Sequence, residues 1–237
     1  MNNKINSKLK KLSRYYNLID NKLVFSNKSI NRYKNQGSSM SVSNDKQLEK
    51  LKNSIKNIRK CNLKSSAKNL VFSDGNPKSS IMIVGEAPGA NEDKLGKPFV
   101  GRAGQLLDKM LNSINLNRKN VYITNVVNYR PPENRKPNEK EISRYFPYLI
   151  KHIEIIKPKI LFLLGSTALN TLVGDEEVIS KARGKWINKK IGNFSSLIIT
   201  SFHPAFLMRQ PEQKKMAWID LKMIRDKIKE LKIKIDK

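Results

Sequence analysis

The sequence predicts an α/β fold in which a mainly parallel, four-stranded sheet is covered by helices on both faces. Three observations predict it. Four short apolar runs have the length and the Ile, Leu and Val content of buried strands. Segments with apolar residues at spacings of three and four separate these runs, as in amphipathic helices. Strands and helices alternate along the chain, which is typical of parallel sheets with right-handed crossovers.

Each predicted strand is a short apolar run, and each predicted helix is a stretch with a helical repeat. The strands are residues 81–84, 121–127, 160–164 and 197–201. The helices are a segment that starts at about residue 45, residues 103–114, 139–156 and 166–173, and a final helix from about residue 211. One stripe of the final helix is apolar and is expected to face the core: Trp218, Leu221, Ile224, Ile228 and Leu231.

The first 47 residues differ from the rest in composition. They are basic, and the stretch NQGSSMSVSNDK at residues 35–46 is small, polar and rich in serine, which is typical of a linker. We therefore predict a basic N-terminal extension and linker over residues 1–47 and one domain over residues 48–237.

The charge of the chain points to a polyanionic partner. Lys and Arg number 47 against 20 Asp and Glu, a net charge of +27, and the excess is spread along the chain. Such a field favours nucleic acid first and an anionic membrane surface second. A codon bias toward Lys, Asn and Ile would also raise the lysine content, but it does not explain why acids are scarce.

The sequence indicates neither a membrane-spanning protein nor one stabilised by disulfides. No apolar run approaches the roughly 18 residues of a transmembrane helix, and the N-terminus lacks the apolar segment of a secretory signal. The single cysteine, Cys61, excludes an internal disulfide and a metal cluster held by several cysteines. We expect a reduced thiol in an intracellular protein, with no metal site and no membrane partner.

In open parallel sheets, ligands bind beyond the carboxyl ends of the strands. This rule selects residues 85–89, 124–132, 165–167 and 202–209. The first of them, GEAPG, is a tight turn that can aim backbone N–H groups at an acceptor. It is neither a dinucleotide fingerprint nor a phosphate-binding P-loop. The alternative is a structural turn in which Glu86 is merely solvated.

Three further side chains stand out at or near these segments. Phe99, in GKPFVG, is the apex of a loop before a helix and is either a core residue or a platform for a base. Asn125 offers two donors and an acceptor at the end of a strand. His203 follows a strand and precedes Pro204, whereas His152 lies in a helical pattern and is expected at the surface or its boundary.

Basic and apolar residues in two loops suggest contacts with DNA. Arg130, Arg135 and Lys136 lie among prolines, in a stiff loop suited to phosphate contacts. Leu207 and Met208 are candidates for a wedge that opens a base step, and Arg209 for an adjacent phosphate.

Four separated stretches together resemble the family 4 uracil-DNA glycosylases. They are NLVFSDGNPKSSIMIVGEAPGANEDKLGKPFVGRAGQLLDKML, VYITNVVNYRPPENRKPNEKEI, PKILFLLGSTAL and FHPAFLMRQPEQKKMAWIDL, within about residues 55–225. The resemblance implies a three-layer α/β/α sandwich. It also implies hydrolysis of the N-glycosidic bond of deoxyuridine in DNA, after the uracil has been flipped out of the helix.

The resemblance also implies roles for individual residues. Phe99 stacks on the uracil, Asn125 reads its N3–H and O4, and His203 and the backbone of the 86–89 turn donate hydrogen bonds to O2. Glu86 or Asp93 positions the water or stabilises the sugar cation, and the choice between these two acids stays open. The implied uracil site comprises Glu86, Ala87, Gly89, Phe99, Asn125 and His203.

One departure from the family concerns a cofactor. Family 4 enzymes typically hold a [4Fe-4S] cluster on four cysteines, and the corresponding positions here are Ile58, Cys61, Tyr129 and Tyr145. One thiolate cannot hold such a cluster. We therefore predict that the cluster is absent and that Tyr129 and Tyr145 help to fill its place.

The predicted function is therefore a base-excision repair glycosylase that acts as a monomer on uracil in single- or double-stranded DNA. We expect it in the cytoplasm, associated with the nucleoid. Two alternatives remain open at this point. One is a non-catalytic DNA-binding protein of the same fold, and the other is a glycosylase for another deaminated base.

Overall fold

The computed structural model describes residues 43–174 and 178–235. Most of the predicted N-terminal extension lies outside these residues, so the boundary between residues 47 and 48 stays a prediction. From Ser43 onwards the chain belongs to one unit. In the described part of the chain, no helix is both long and apolar enough to cross a membrane.

A six-stranded sheet forms the centre of the domain, in the order β1-β3-β2-β4-β6-β5. The four central strands are parallel, and β1 and β5 run antiparallel at the two edges. The strands are β1 (Asp74–Gly75), β2 (Ile81–Gly85), β3 (Tyr122–Asn125), β4 (Ile160–Leu164), β5 (Ile187–Ile191) and β6 (Phe194–Ser201). The four predicted strands are therefore confirmed as the parallel core.

Nine α-helices lie within the described residues. They are α1 (Asn44–Lys56), α2 (Asn62–Ser66), α3 (Ala90–Leu95), α4 (Arg102–Asn112), α5 (Glu139–Ile156), α6 (Ser166–Leu172), α7 (Ile179–Ala182), α8 (Pro204–Arg209) and α9 (Lys214–Glu230). Every predicted helix is present. The four that the sequence did not predict have six residues or fewer, too few for a hydrophobic repeat to show.

Two cores, one on each face of the sheet, make the fold a three-layer sandwich. On β2, Met82 and Val84 join the core beneath α1, α5 and α6, whereas Ile81 and Ile83 join the core beneath α4, α8 and α9. Successive residues of a strand point to opposite faces. A strand buried on both faces must therefore be apolar throughout, which is the pattern that predicted it.

The two edge strands have sequences that do not look like buried strands. β5 reads INKKI, and its exposed residues, Asn188 and Lys190, alternate with more buried ones. Lysines on an edge strand are a common protection against pairing with another chain. β1 is only two residues long. Neither contains an apolar run, so the prediction of four strands missed both.

Two side chains lie where the sequence did not place them. His152 is 1% exposed, with its ring 4.5 Å from the Phe72 ring and 5.8 Å from the Tyr122 ring. The prediction of a surface position was therefore wrong, because His152 lies on the core-facing side of α5. Trp218 is 40% exposed, although it shares the predicted stripe of α9, while Leu221, Ile224 and Ile228 are buried.

The parallel arrangement brings four strand ends together. β2 pairs with β3 through Gly85 and Asn125, and β4 pairs with β6 through Leu164 and Ser201. We call the region beyond the carboxyl ends of β2, β3, β4 and β6 the ligand edge. All four segments selected from the sequence start there.

Candidate active site

At the centre of the ligand edge, the side chains of Asn125 and Phe99 pack closely against Gly85. A Cβ atom at Gly85 would lie 2.5 Å from Asn125 Oδ1 and 2.5 Å from Phe99 Cζ. Carbon atoms cannot approach other atoms so closely, so only glycine permits this arrangement. The sequence-predicted stacking residue and the sequence-predicted reading residue therefore meet above the end of β2.

Asn125 has an unused hydrogen-bond acceptor. Its side chain is 3% exposed, and its Oδ1 atom has no hydrogen-bond partner within the described residues. A buried acceptor without a partner costs about 1–3 kcal/mol of stability. Such an atom is expected where a bound molecule supplies the missing donor.

The Phe99 loop is held in an unusual backbone conformation. Phe99 has a positive φ of 54° and is 5% exposed. Arg118 donates hydrogen bonds to the carbonyl oxygens of Pro98 and Phe99, and it forms ion pairs with Asp74 and Asp108 at 2.6 and 2.9 Å. A non-glycine residue with positive φ persists where its surroundings enforce it. Arg118 is such a restraint, and nothing in the sequence pattern indicated it.

A single carboxylate ties the GEAPG turn to the Phe99 loop. Glu92 Oε1 accepts hydrogen bonds from the backbone N–H groups of Val100 and Gly101 at 2.9 and 2.7 Å, and Oε2 accepts one from Gly89 at 3.2 Å. The N–H of Gly89 is thus directed at Glu92. This corrects the expectation that Gly89 donates to the uracil. The spacing G-x-x-E resembles a capping box. This spacing could have indicated from the sequence that the Glu92 side chain binds the backbone at the start of α3.

His203 is half-buried, and its ring stacks on that of Phe99 with centroids 5.6 Å apart. It caps α8, and its Nδ1 atom accepts a hydrogen bond from the N–H of Ala205 at 3.2 Å. Burial and the nearby positive charge of Arg209 together lower the pKa of His203 to about 4, against an opposing effect of Glu92. The imidazole is neutral at pH 7, and its one proton lies on Nε2, which can therefore donate.

Glu86 and Ala87 are half-buried in the turn that follows β2. One carboxylate oxygen of Glu86, Oε2, accepts a hydrogen bond from the hydroxyl of Thr167, which lies beyond β4. Glu86 therefore stands at the ligand edge, in the segment that also contributes Gly85. Thr167 belongs to a segment that the sequence selected, but no role was predicted for it.

Asp93 has a structural function instead. It is 2% exposed, and its Oδ1 atom accepts hydrogen bonds from the backbone N–H groups of Lys68 and Asn69 at 2.9 and 3.0 Å. Asn69 also donates to the backbone carbonyl of Asp93 at 2.7 Å. These contacts anchor the segment before β1 to α3. They leave Asp93 poorly suited to the catalytic role that the sequence left open for it.

The proline-rich loop after β3 contains the three basic residues predicted to bind DNA. Arg130 is half-buried and donates to Asn134 at 2.8 Å. Arg135 forms a two-pronged ion pair with Glu141 at 2.6 and 2.8 Å, which lowers the pKa of Glu141. Lys136 is exposed. A phosphate would have to compete with Glu141 for Arg135, so Lys136 is the more accessible cation of the two.

The predicted wedge needs one correction. Leu207 is 1% exposed and belongs to the core beneath α4 and α9. A side chain packed inside a core cannot enter a base step, so Leu207 is not the wedge. Met208 is partly exposed and Arg209 is exposed on the same short helix. Helix α8 was not predicted, so its buried side could not be recognised from the sequence.

The positions that hold cluster cysteines in family 4 enzymes lie together at another place in the domain. We call Ile58, Cys61, Tyr129 and Tyr145 the Cys61 corner. Cys61 Sγ lies 3.2 Å from the Tyr145 hydroxyl, in a hydrogen bond whose donor can be either group. Both tyrosines are buried, and burial raises the pKa of each phenol. A [4Fe-4S] cluster does not fit a corner with one thiolate and three side chains without sulfur.

Comparisons with known proteins give a consistent result. Residues 72–222 match the family model described as the uracil DNA glycosylase superfamily. A type-4 uracil-DNA glycosylase of Pyrobaculum aerophilum is 44% identical over 161 residues, which are 66% of this chain and 82% of the relative. The Saccharolobus solfataricus and Sulfurisphaera tokodaii enzymes of the same name are 40% and 43% identical over 187 and 173 residues. These matches cover 77% and 71% of this chain, and 87% and 79% of the relatives.

The matched region spans all four central strands and the ligand edge with Gly85, Asn125 and His203. The family resemblance inferred from the four sequence stretches is thus confirmed by the comparisons and is compatible with the fold. This chain belongs to the type-4 uracil-DNA glycosylases, within the uracil DNA glycosylase superfamily.

Proposed function

We propose that this protein removes uracil from DNA by hydrolysing the N-glycosidic bond and leaves an abasic site. One observation carries the proposal: the Phe99 ring, the Asn125 amide and the His203 imidazole converge at the ligand edge. They lie beside Gly85, where any side chain would collide with Phe99 and Asn125. The relatives that cover most of this domain are named uracil-DNA glycosylases, which supports the same reaction.

Recognition of uracil rests on Phe99 and Asn125. A base inside a duplex cannot reach a protein pocket, so the nucleotide must first be extruded. Phe99 then stacks on the base, Asn125 Oδ1 accepts the N3–H of uracil, and Asn125 Nδ2 donates to O4. Cytosine has a donor at C4 and no proton on N3, so it would leave buried polar groups unpaired. Discrimination of this kind can be large.

Two residues support bond cleavage. As the bond stretches, negative charge develops on uracil O2, and the Nε2–H of neutral His203 is a suitable donor to it. One donor of this kind is typically worth about 3–4 kcal/mol in the transition state. Glu86 positions the attacking water near the sugar carbon. We favour Glu86 over Asp93 because the Asp93 carboxylate already binds two backbone N–H groups.

DNA is the partner that the charge of the chain favours, with 47 basic and 20 acidic residues. We assign phosphate contacts to the exposed Lys136 and Arg209, and the wedge to Met208. We also propose that the protein acts as a monomer on single- and double-stranded DNA and is found with the nucleoid. Sedimentation with and without uracil-containing oligonucleotides of each kind measures both the stoichiometry and the preferred substrate.

We further propose that the protein works without the iron–sulfur cluster of its relatives. The support is chemical: only Cys61 can supply a thiolate, and its sulfur already contacts the Tyr145 hydroxyl. No cluster of three or more His, Cys, Asp or Glu side chains suited to a metal occurs in residues 43–174 and 178–235. Iron and sulfide analysis of anaerobically purified protein tests this, and stoichiometric iron would overturn it.

The test of the main proposal is cleavage of oligonucleotides that contain one uracil, followed by alkali to break abasic sites. We expect strand breaks with uracil and none with cytosine or thymine. Asn125→Ala and His203→Ala should each lower the rate about 10²- to 10³-fold, while Asn112→Ala, on the exposed side of α4, should not change it. Near-normal rates in both site variants would refute the site assignment.

The same assay separates the alternatives. Uracil-DNA that binds but is never cleaved would indicate a non-catalytic DNA-binding protein. Cleavage of hypoxanthine-containing DNA in preference to uracil-containing DNA would indicate a glycosylase for another deaminated base.

A further inference from the structure

A hydrogen bond links the turns that follow two neighbouring strands of the sheet. The hydroxyl of Thr167, in the first turn of α6, donates to Oε2 of Glu86, 81 residues earlier in the chain. β2 and β4 are adjacent and parallel, with Val84 opposite Leu163. Their ends therefore carry Glu86 and Thr167 to the same point of the ligand edge.

The turn that contains Thr167 also contacts His203. Gly165, with a φ of +90°, lies so close to His203 that a Cβ on it would be 3.1 Å from the His203 Cβ. The backbone of this turn is anchored by a hydrogen bond from the Leu169 N–H to the Gly165 carbonyl at 3.2 Å. The turn thus contacts His203 through Gly165 and Glu86 through Thr167.

The two oxygens of the Glu86 carboxylate have different surroundings. Oε2 accepts the hydrogen bond from the Thr167 hydroxyl, and this bond does not involve Oε1. A half-buried glutamate has three side-chain torsions and would otherwise sample several orientations. Threonine is stiff at χ1 because it is branched at Cβ. The bond from Thr167 therefore restrains the carboxylate through Oε2 and does not itself occupy Oε1.

We propose that Thr167 is a positioning residue that holds the Glu86 carboxylate for the attack of water on the deoxyribose. This inference rests on the proposed function. In the reaction, the bond between C1′ and the uracil nitrogen breaks, and its electron pair leaves with the base. A water oxygen then forms a bond to C1′ and passes a proton to Glu86. The uracil anion is stabilised at O2 by His203.

The experiment compares four variants in single-turnover cleavage of a uracil oligonucleotide: Thr167→Val, Thr167→Ser, Glu86→Gln and the double variant Thr167→Val with Glu86→Gln. We expect Thr167→Val to lower the rate of the chemical step about tenfold with little change in DNA affinity, since misplacement of a catalytic group acts on the reaction geometry. Thr167→Ser keeps the hydroxyl and should stay within about threefold of the wild type.

The double variant separates positioning from a general structural role. If Thr167 acts through Glu86, Thr167→Val should lower the rate less than about twofold once Glu86 is glutamine, because coupled residues are not additive. Ser54→Ala, which removes a hydroxyl that donates to the Lys50 carbonyl on the exposed side of α1, is the control and should leave the rate unchanged. Melting temperatures of all variants verify that each is folded.

Three results would overturn the inference. These are a wild-type rate for Thr167→Val, equal losses for Thr167→Ser and Thr167→Val, and a full tenfold loss that persists in the Glu86→Gln background. In each case the wild-type protein would still release uracil, so the proposed function would stand. Failure of the wild-type protein to release uracil would refute the proposed function itself.

Discussion

The ligand edge and the Cys61 corner differ in how their residues compare with the family pattern. At the ligand edge, the structure brings Gly85, Phe99, Asn125 and His203 together. At the Cys61 corner, one of four cysteine positions keeps its sulfur. The edge needs particular atoms at particular points, because a base is read through hydrogen bonds and a stacked ring. The corner needs filled volume, which buried tyrosines provide as well.

The comparison predicts that the corner controls stability and the edge controls activity. The largest effect is expected for Tyr145→Ala. Tyr145 is fully buried, and loss of a large buried aromatic side chain lowers the free energy of unfolding by about 3–5 kcal/mol. Denaturant unfolding measures this. Cleavage by the folded fraction at low temperature should stay within about threefold of the wild type, because Tyr145 is not at the ligand edge.

Gly85→Ala should show the opposite behaviour. The added methyl group would meet Asn125 Oδ1 and the Phe99 ring at 2.5 Å, so both must move. A displacement of catalytic groups by about 1 Å can cost about 10²-fold in rate, and overpacking costs about 1–3 kcal/mol of stability. Single-turnover kinetics and a melting curve measure the two effects. Unchanged kinetics would mean that the uracil pocket lies elsewhere.

Tyr145→Phe sharpens the comparison at the corner. This change removes the hydroxyl that contacts Cys61 Sγ but keeps the ring. We expect the free energy of unfolding to fall by about 1 kcal/mol, the typical value of one hydrogen bond. If Tyr145→Phe were as unstable as Tyr145→Ala, then the hydroxyl and not the filled volume would hold the corner together.

The smallest expected effect is the absence of a histidine titration near neutral pH. The chain has two histidines, and burial lowers the pKa of His152 to about 3 and that of His203 to about 4. NMR should show no imidazole titration between pH 5 and pH 8. A midpoint near 6.5 would show that at least one ring is solvated.

The same shifts determine how stability depends on pH. In the unfolded chain both histidines take up protons near their ordinary pKa of about 6.5, whereas in the folded protein they stay neutral down to about pH 4 and pH 3. The unfolded state therefore binds more protons, and stability falls as the pH decreases from about 6.5 toward 3. Above about pH 6.5 both histidines are neutral in the folded and the unfolded state, so they no longer favour unfolding.

The parallel core and the position of the site could be predicted because they depend on strong local signals. Short apolar runs such as ILFLL, separated by helical patterns, are typical of strands buried on both faces. The residues that follow them must then gather at one edge. Asn125, at the end of a strand, and His203, just after one, could be recognised by these positions before any contact was known.

The contacts that orient the site could not be predicted, since they join distant parts of the chain. Arg118 reaches Asp74, 44 residues earlier, and Thr167 reaches Glu86, 81 residues earlier. No repeat or motif marks such pairs. The burial of Leu207 was missed for a different reason. A six-residue helix is too short to show which of its sides is apolar.

The restraints on the Phe99 loop have a consequence for how damaged sites are chosen. Arg118 holds the carbonyl groups of the loop, and Glu92 holds the N–H groups that follow it. A pocket restrained in this way does not adapt its shape to the DNA, so the nucleic acid must undergo most of the deformation. The relative rates on different substrates then depend on how easily the uracil nucleotide leaves its base pair and stack. Uracil in a single strand should react first, uracil opposite guanine second, and uracil opposite adenine last.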